Sequence, residues 1–110
     1  MSRPVAIGER GRRFTLQVPV ETPDGFGGVL RTFQPGPRLW GAMRLVGDGE
    51  RRGADRITDE ATHRVTLAWR AGVAGGAQLT LGPRRFRIRS AADPDGRRRE
   101  LVCLVEEIRP

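Results

Sequence analysis

The chain has 110 residues, 30% charged and 37% hydrophobic, with a formal net charge of +7. That length fits one domain with a modest core, and no apolar run approaches the ~20 residues of a membrane span. All basic residues are arginine, and a pI near 11.5 suits contact with nucleic acid or an acidic protein surface without choosing between them.

Residues 1–11 are polar, with Pro4, Gly8 and Gly11, and read as a flexible arm without the apolar stretch of a signal peptide. Residues 12–110 read as a single domain. Arg13–Val18 alternates, with Phe14, Leu16 and Val18 on one side, which is the period of a half-buried strand. Pro23-Asp24-Gly25 then punctuates: proline presets φ and glycine accepts positive φ. Val29–Phe33 reads as the returning strand of a long-tipped hairpin. Gln34–Arg38 holds Pro35 and Pro37 and reads as a connection. Leu39–Val46 follows as a strand with Trp40 opposite Leu39, Met43 and Leu45. His63–Trp69, Ala77–Leu81, Arg84–Ala91 and Arg99–Ile108 complete the set, separated by Gly-rich and Asp-Pro-Asp-Gly turns. About seven short strands predict an all-β fold, a small antiparallel barrel or sandwich. The last strand is apolar on both faces, which requires either two covering layers or a second subunit. Cys103 within it cannot form an internal disulfide. It reads as a small buried hydrophobe in a reducing compartment.

One stretch interrupts the pattern. Residues 47–61, GDGERRGADRITDEA, are too polar for core and too long for a hairpin turn, and long irregular loops tend to be functional or disordered. Asp48, Glu50, Asp55, Asp59 and Glu60 oppose Arg51, Arg52 and Arg56, so the loop is −2 on a chain that is +9 elsewhere. Gly47, Gly49 and Gly53 give it conformational freedom.

The sequence offers little for catalysis. One His and one Cys draw no metal-ligand cluster, and no glycine-rich stretch precedes a helix to cradle a phosphate or cofactor. His63 reads as a strand residue. With no constellation of acid, base and nucleophile, the chain reads as non-enzymatic, with no cofactor and no metal. The arginines carry more. Arg85, Arg87 and Arg89 share one strand face, and Arg97, Arg98 and Arg99 begin its hairpin partner. Together they form a candidate patch for DNA phosphate or a partner's carboxylates. The competing reading is a solvated face balanced by Asp93, Asp95, Glu100, Glu106 and Glu107. Phe26, an apolar side chain beside Asp24 at a polar tip, reads as an interface residue.

In order, Arg13-Phe14-Thr15-Leu16-Gln17, Glu21 to Gly28, Leu39-Trp40-Gly41-Ala42, Gly49-Glu50-Arg51, Thr62 to Leu67, Gly72-Val73, Arg84 to Ile88, Asp93 to Arg97 and Leu101 to Glu106 resemble the phage head-tail joining proteins, also called head closure or stopper proteins. The resemblance spans nearly the whole chain from Arg12 to Glu107. It implies a β-barrel that assembles as a twelve-fold ring in the virion neck, made in the bacterial cytoplasm, with no membrane partner. The implied neighbours are the portal or adaptor above, the tail terminator or tail tube below, and double-stranded DNA in the channel. Carried onto this sequence, the loop that helps retain and release packaged DNA is 47–61. A gene transfer agent or prophage origin fits equally. The reading from a different class is a small-barrel nucleic-acid-binding module that uses Arg84–Arg89 and Arg97–Arg99. A tail-terminator role is a further neck alternative.

Overall fold

The computed structural model describes residues 11–46 and 61–109. The polar arm 1–10 and loop residues 47–60 lie outside the described residues. Six strands form: β1 (Arg12–Pro23), β2 (Val29–Leu45), β3 (His63–Ala68), β4 (Gln78–Leu81), β5 (Arg84–Ala92) and β6 (Glu100–Ile108). All pairings are antiparallel, in the order β1-β2-β3-β6-β5-β4, and β4 returns to β1 to close a barrel. Closure pairs the edges that an open sheet would leave available for aggregation.

The period-two pattern explains what the barrel encloses. Phe14 and Leu16 from β1, Val65 and Leu67 from β3, Leu79 from β4, Phe86 and Ile88 from β5, and Leu101, Cys103 and Val105 from β6 form one buried cluster. Phe14 and Phe86 meet edge to face with centroids 6.4 Å apart. Fully burying a side chain of this kind contributes about 1.5–3 kcal/mol. Gly41 makes a close approach inside the barrel: a Cβ there would lie 2.7 Å from Leu67 Cδ2 and 3.0 Å from the Thr66 carbonyl oxygen. The outer face of β6 carries Val102 and Leu104, both half-buried, so among the described residues its second apolar face is neither covered by another layer nor fully solvated.

The strand count differs from the expected seven because Val29–Phe33 and Leu39–Val46 are one 17-residue strand. The connection predicted at Gln34–Arg38 is instead a bulge. Thr15 pairs with Arg38 and Gln17 with Pro35, so Gly36 and Pro37 together oppose Leu16. Proline is tolerated in a strand at bulges and on open edges, where no ladder bond is lost. Two prolines therefore mark a kink in β2 and not its end.

β1 also runs past its predicted limit at Val18. Beyond Gln17 it has left β4, and up to Gln34 the strand β2 has not yet met β3. Val18–Pro23 and Val29–Gln34 are thus a two-stranded arm that pairs only with itself among the described residues. At ~3.4 Å per residue the arm is roughly 20 Å long.

Candidate functional site

The register sets the two ends of the body. β2 starts in the arm, crosses the barrel and ends at Leu45, so the loop 47–60 leaves from the end opposite the arm. The same logic distributes the arginines. Arg85 pairs with Ile108 and Arg87 with Glu106, at the loop end, whereas Arg97, Arg98 and Arg99 lie in the β5–β6 turn at the arm end. Arg85 and Ala92 are seven residue steps apart along β5, roughly 24 Å at strand spacing. The six arginines singled out in the sequence are therefore two groups and not one patch.

Most of the six have partners within the chain. Arg87 and Arg89 approach Glu106 Oε1 at 3.7 and 3.5 Å. The approach of Arg89 follows from a bulge between Ile88 and Ser90. Arg99 Nε donates to Asp95 at 3.0 Å, and the Arg98 guanidinium lies 5.2 Å from the Trp69 ring centroid. Arg98 is the only described non-glycine residue with positive φ, at 56°. The Asp93 and Asp95 carboxylates accept backbone N–H bonds from Gly96, Arg97 and Arg98 and set that turn. The Arg97 N–H bond, and then the Arg99 side chain, lower the Asp95 pKa. Much of the positive charge is thus engaged internally, as the balancing acids suggest, and each exposed pair contributes little to stability.

The arm is the apolar end. At its tip, Asp24 Oδ1 accepts from the Phe26 N–H at 2.7 Å and the Gly28 N–H at 3.0 Å. Those two bonds hold its carboxyl below the usual carboxylate range. Gly25 and Gly27, each at φ 85°, carry the chain around the tip. This tight turn presents Phe26 at 94% exposure, with Val29 and Leu30 behind it at 64% and 58%. Glu21 and Arg31 form a cross-strand ion pair at 2.9 Å, so the arm itself is close to neutral.

At the opposite end a polar cluster fixes both stems of the loop. The Val46 N–H donates to the Thr62 carbonyl at 3.0 Å, and the Thr62 N–H to the Val105 carbonyl at 2.8 Å. The Glu107 N–H donates to Thr62 Oγ1 at 2.8 Å, while the Glu107 carboxylate receives a bidentate pair from Arg84 at 2.8 and 3.0 Å. His63 sits edge-on to Phe86 at 5.5 Å with Nδ1 2.9 Å from Thr62 Oγ1. Burial pushes the His63 pKa down, against the pull of nearby Glu107. Val46 and Ala61 are both buried, so the loop begins and ends on a closed base. Thr62, Arg84 and Glu107 were not separable in the sequence, because nothing there shows that residues 45 positions apart share a hydrogen bond. Among the described residues no group of three or more His, Cys, Asp or Glu could hold a metal ion.

The family model of the phage head completion proteins matches residues 6–108. The chain belongs to that family. As a phage head completion protein it is a structural component of the virion, acting where head and tail meet. Protein SF1141 from Shigella flexneri 2a has a similar solution structure, with 26% identity and a TM-score of 0.73 over 94% of this chain and 96% of that one. A chain in the virion of a native gene transfer agent particle shares 22% identity and a TM-score of 0.65 over 89% of this chain and 94% of that one, a likeness of fold. No curated protein matches the sequence.

Proposed function

We propose that this head completion protein closes the filled head as one subunit of a ring, twelve-fold as the sequence resemblance implies, and that it works without catalysis. The observation that carries the reading is the bipolar body: an exposed apolar arm lies at one end, and Val46, Ala61 and Thr62, which flank the acidic segment in sequence, are fixed on a closed base at the other. A ring of heterologous contacts needs two different complementary patches on each subunit. The arm with Asp24 and Phe26, and the turn with Arg97, Arg98 and Arg99, provide one end. Arg85, Arg87 and Arg89 flank the other. The portal or adaptor and the tail terminator or tube are the partners at the two ends, and double-stranded DNA is the non-specific occupant of the channel. In this reading the loop 47–61, at −2, faces DNA and repels its backbone mildly, which favours sliding over sticking and lets the loop retain or release the genome.

The likeness to a gene transfer agent virion chain supports a particle role. The alternative of a monomeric nucleic-acid-binding module is weaker, because the arginines it needs lie at two ends and four of them, Arg84, Arg87, Arg89 and Arg99, are paired with Glu107, Glu106 or Asp95. The test is the DNA content of particles assembled without this chain. Heads that package but are recovered empty and tailless support closure. Full heads that only lack tails restrict the role to joining, and normal tailed particles overturn the proposal.

A further inference from the structure

The arm has two long edges, and prolines make them unequal. The Asp24 N–H bonds the Gly28 carbonyl, so the pair Asp24–Gly28 faces inward. In an antiparallel ladder the facing direction alternates along each strand. Residues 18, 20 and 22 of β1 therefore bond β2, and Pro19, Glu21 and Pro23 turn their backbone groups outward. On β2 the outward positions are Val29, Arg31 and Phe33, followed by Pro35. The outer edge of β1 thus offers one N–H among three outward positions. The outer edge of β2 offers three in succession, each with its carbonyl, and has no ladder partner among the described residues.

We infer that the β2 edge of the arm, Val29–Phe33, accepts an added antiparallel or parallel strand from a different protein of the particle, in which an acidic residue lies opposite Arg31 between two apolar residues. Strand addition draws affinity from main-chain bonds and specificity from alternate side chains. The side chains of Val29 and Phe33 flank Arg31 on one face of the arm. An aliphatic–acidic–aliphatic alternation matches that order, and a carboxylate there would share Arg31 with Glu21. A second copy of this chain is the poorer occupant on two counts. Its β1 edge is blunted by Pro19 and Pro23. Its β2 edge, in the two-fold register that uses all three outward positions, would set Arg31 against Arg31, and like charges directly opposed are destabilising. The same prolines prevent arms from adding to one another without limit, the hazard of any exposed edge.

The inference rests on assembly of the chain into particles, and the experiment separates the two. Two matched variants are introduced, Arg31→Pro and Glu21→Pro. Each breaks the same ion pair and places proline at an outward position; Arg31→Pro removes both the β2-edge donor and the guanidinium offered to the added strand, whereas Glu21→Pro removes neither. Arg31→Pro is expected to reduce incorporation into particles at least tenfold, while Glu21→Pro incorporates as the unaltered chain does. Equal behaviour of the two folded variants, in either direction, overturns the inference; failure of the unaltered chain to incorporate would instead overturn the assembly reading. Should a variant not fold, residue-resolved hydrogen exchange on the unaltered chain decides. In the isolated chain the amides of Arg31 and Phe33 exchange rapidly beside slow Leu30 and Thr32, and in particles the alternation disappears. Alternation that persists in particles, or protection already complete in the isolated chain, overturns the inference. A Leu30→benzoylphenylalanine variant is expected to crosslink to another protein in the particle. A crosslink to a further copy of this chain overturns the choice of occupant.

Discussion

Phe86 and Phe26 are the same residue type in opposite situations, and truncating each separates stability from function. Phe86 has no exposed surface and packs edge-on against both Phe14 and His63. Phe→Ala in a core costs about 3–5 kcal/mol through lost burial and the cavity left behind. Aromatic pairs of this geometry each add about 0.5–1.5 kcal/mol. Phe86→Ala is therefore expected at the upper end, about 4–5 kcal/mol, a large share of the ~5–15 kcal/mol available to a domain. At about 4 °C per kcal/mol for a chain of this size, the midpoint falls by roughly 15–20 °C. Phe26 is 94% exposed and buries nothing in the isolated chain, so Phe26→Ala should stay within about 0.5 kcal/mol. Urea unfolding followed by fluorescence of Trp69, which packs against the core, reads both. Particle assembly is then scored for Phe26→Ala. A Phe86→Ala loss below about 2 kcal/mol would refute the packing described for the barrel centre. A Phe26→Ala chain that is stable and still joins particles at the normal yield would refute an interface at the arm tip.

Gly41→Ala is expected to destabilise by about 1–3 kcal/mol, because the added Cβ meets Leu67, the Thr66 carbonyl and Phe14 at 2.7–3.1 Å; parallel urea titrations check it. Cys103 is buried, and desolvation pushes its thiol up to about 12, so the folded chain should resist alkylation at pH 8.5 and react only on unfolding. Because that pKa is raised, the contribution of Cys103 is fully present below its ordinary value and is lost as pH climbs toward about 12, which alkaline denaturation of Cys103→Ala against the unaltered chain would reveal. His63 has the opposite sense: its pKa is lowered by burial, so its contribution is intact above the ordinary value of 6.5 and is lost as pH falls through the depressed folded value. His63→Gln should accordingly flatten the dependence of unfolding free energy on pH between 7.5 and 5.5.

The alternation of apolar residues was the legible part of the sequence. Phe14 with Leu16, Val65 with Leu67, and Phe86 with Ile88 each point into the barrel as period two requires. Two features escaped it for physical reasons. Pro35 and Pro37 are breakers in isolation, yet a bulge and an open edge accommodate both, and only the partner strand shows that. The arginines of β5 and of the following turn are close in sequence, but an extended strand carries them to opposite ends of the body, where Glu106 and Asp95 engage several of them. Charge counted along a chain does not give charge density on a surface. Thr66 shows the limit of alternation from the other side: it is buried although it lies out of phase with Val65 and Leu67.

The division of labour within the fold follows from where its energy lies. The buried aromatics and aliphatics are confined to the barrel, and the arm adds almost nothing to that core. A two-stranded hairpin is at best marginally stable by itself in water, so this arm persists through the bulged junction with β1 and β2, the Asp24 turn and the Glu21–Arg31 pair. Keeping Phe26, Val29 and Leu30 exposed on such an element gives the isolated chain no stability. The exposure makes physical sense if another surface covers them during assembly. Replacing Asp24 by Ala tests that dependence directly. Loss of its two bonds to the Phe26 and Gly28 N–H groups should leave the barrel transition unchanged while the tip exchanges its amides faster. Incorporation into particles should fall with the order of the tip. If Asp24→Ala leaves the tip as ordered as before, the turn is held by its glycines alone and the carboxylate is dispensable.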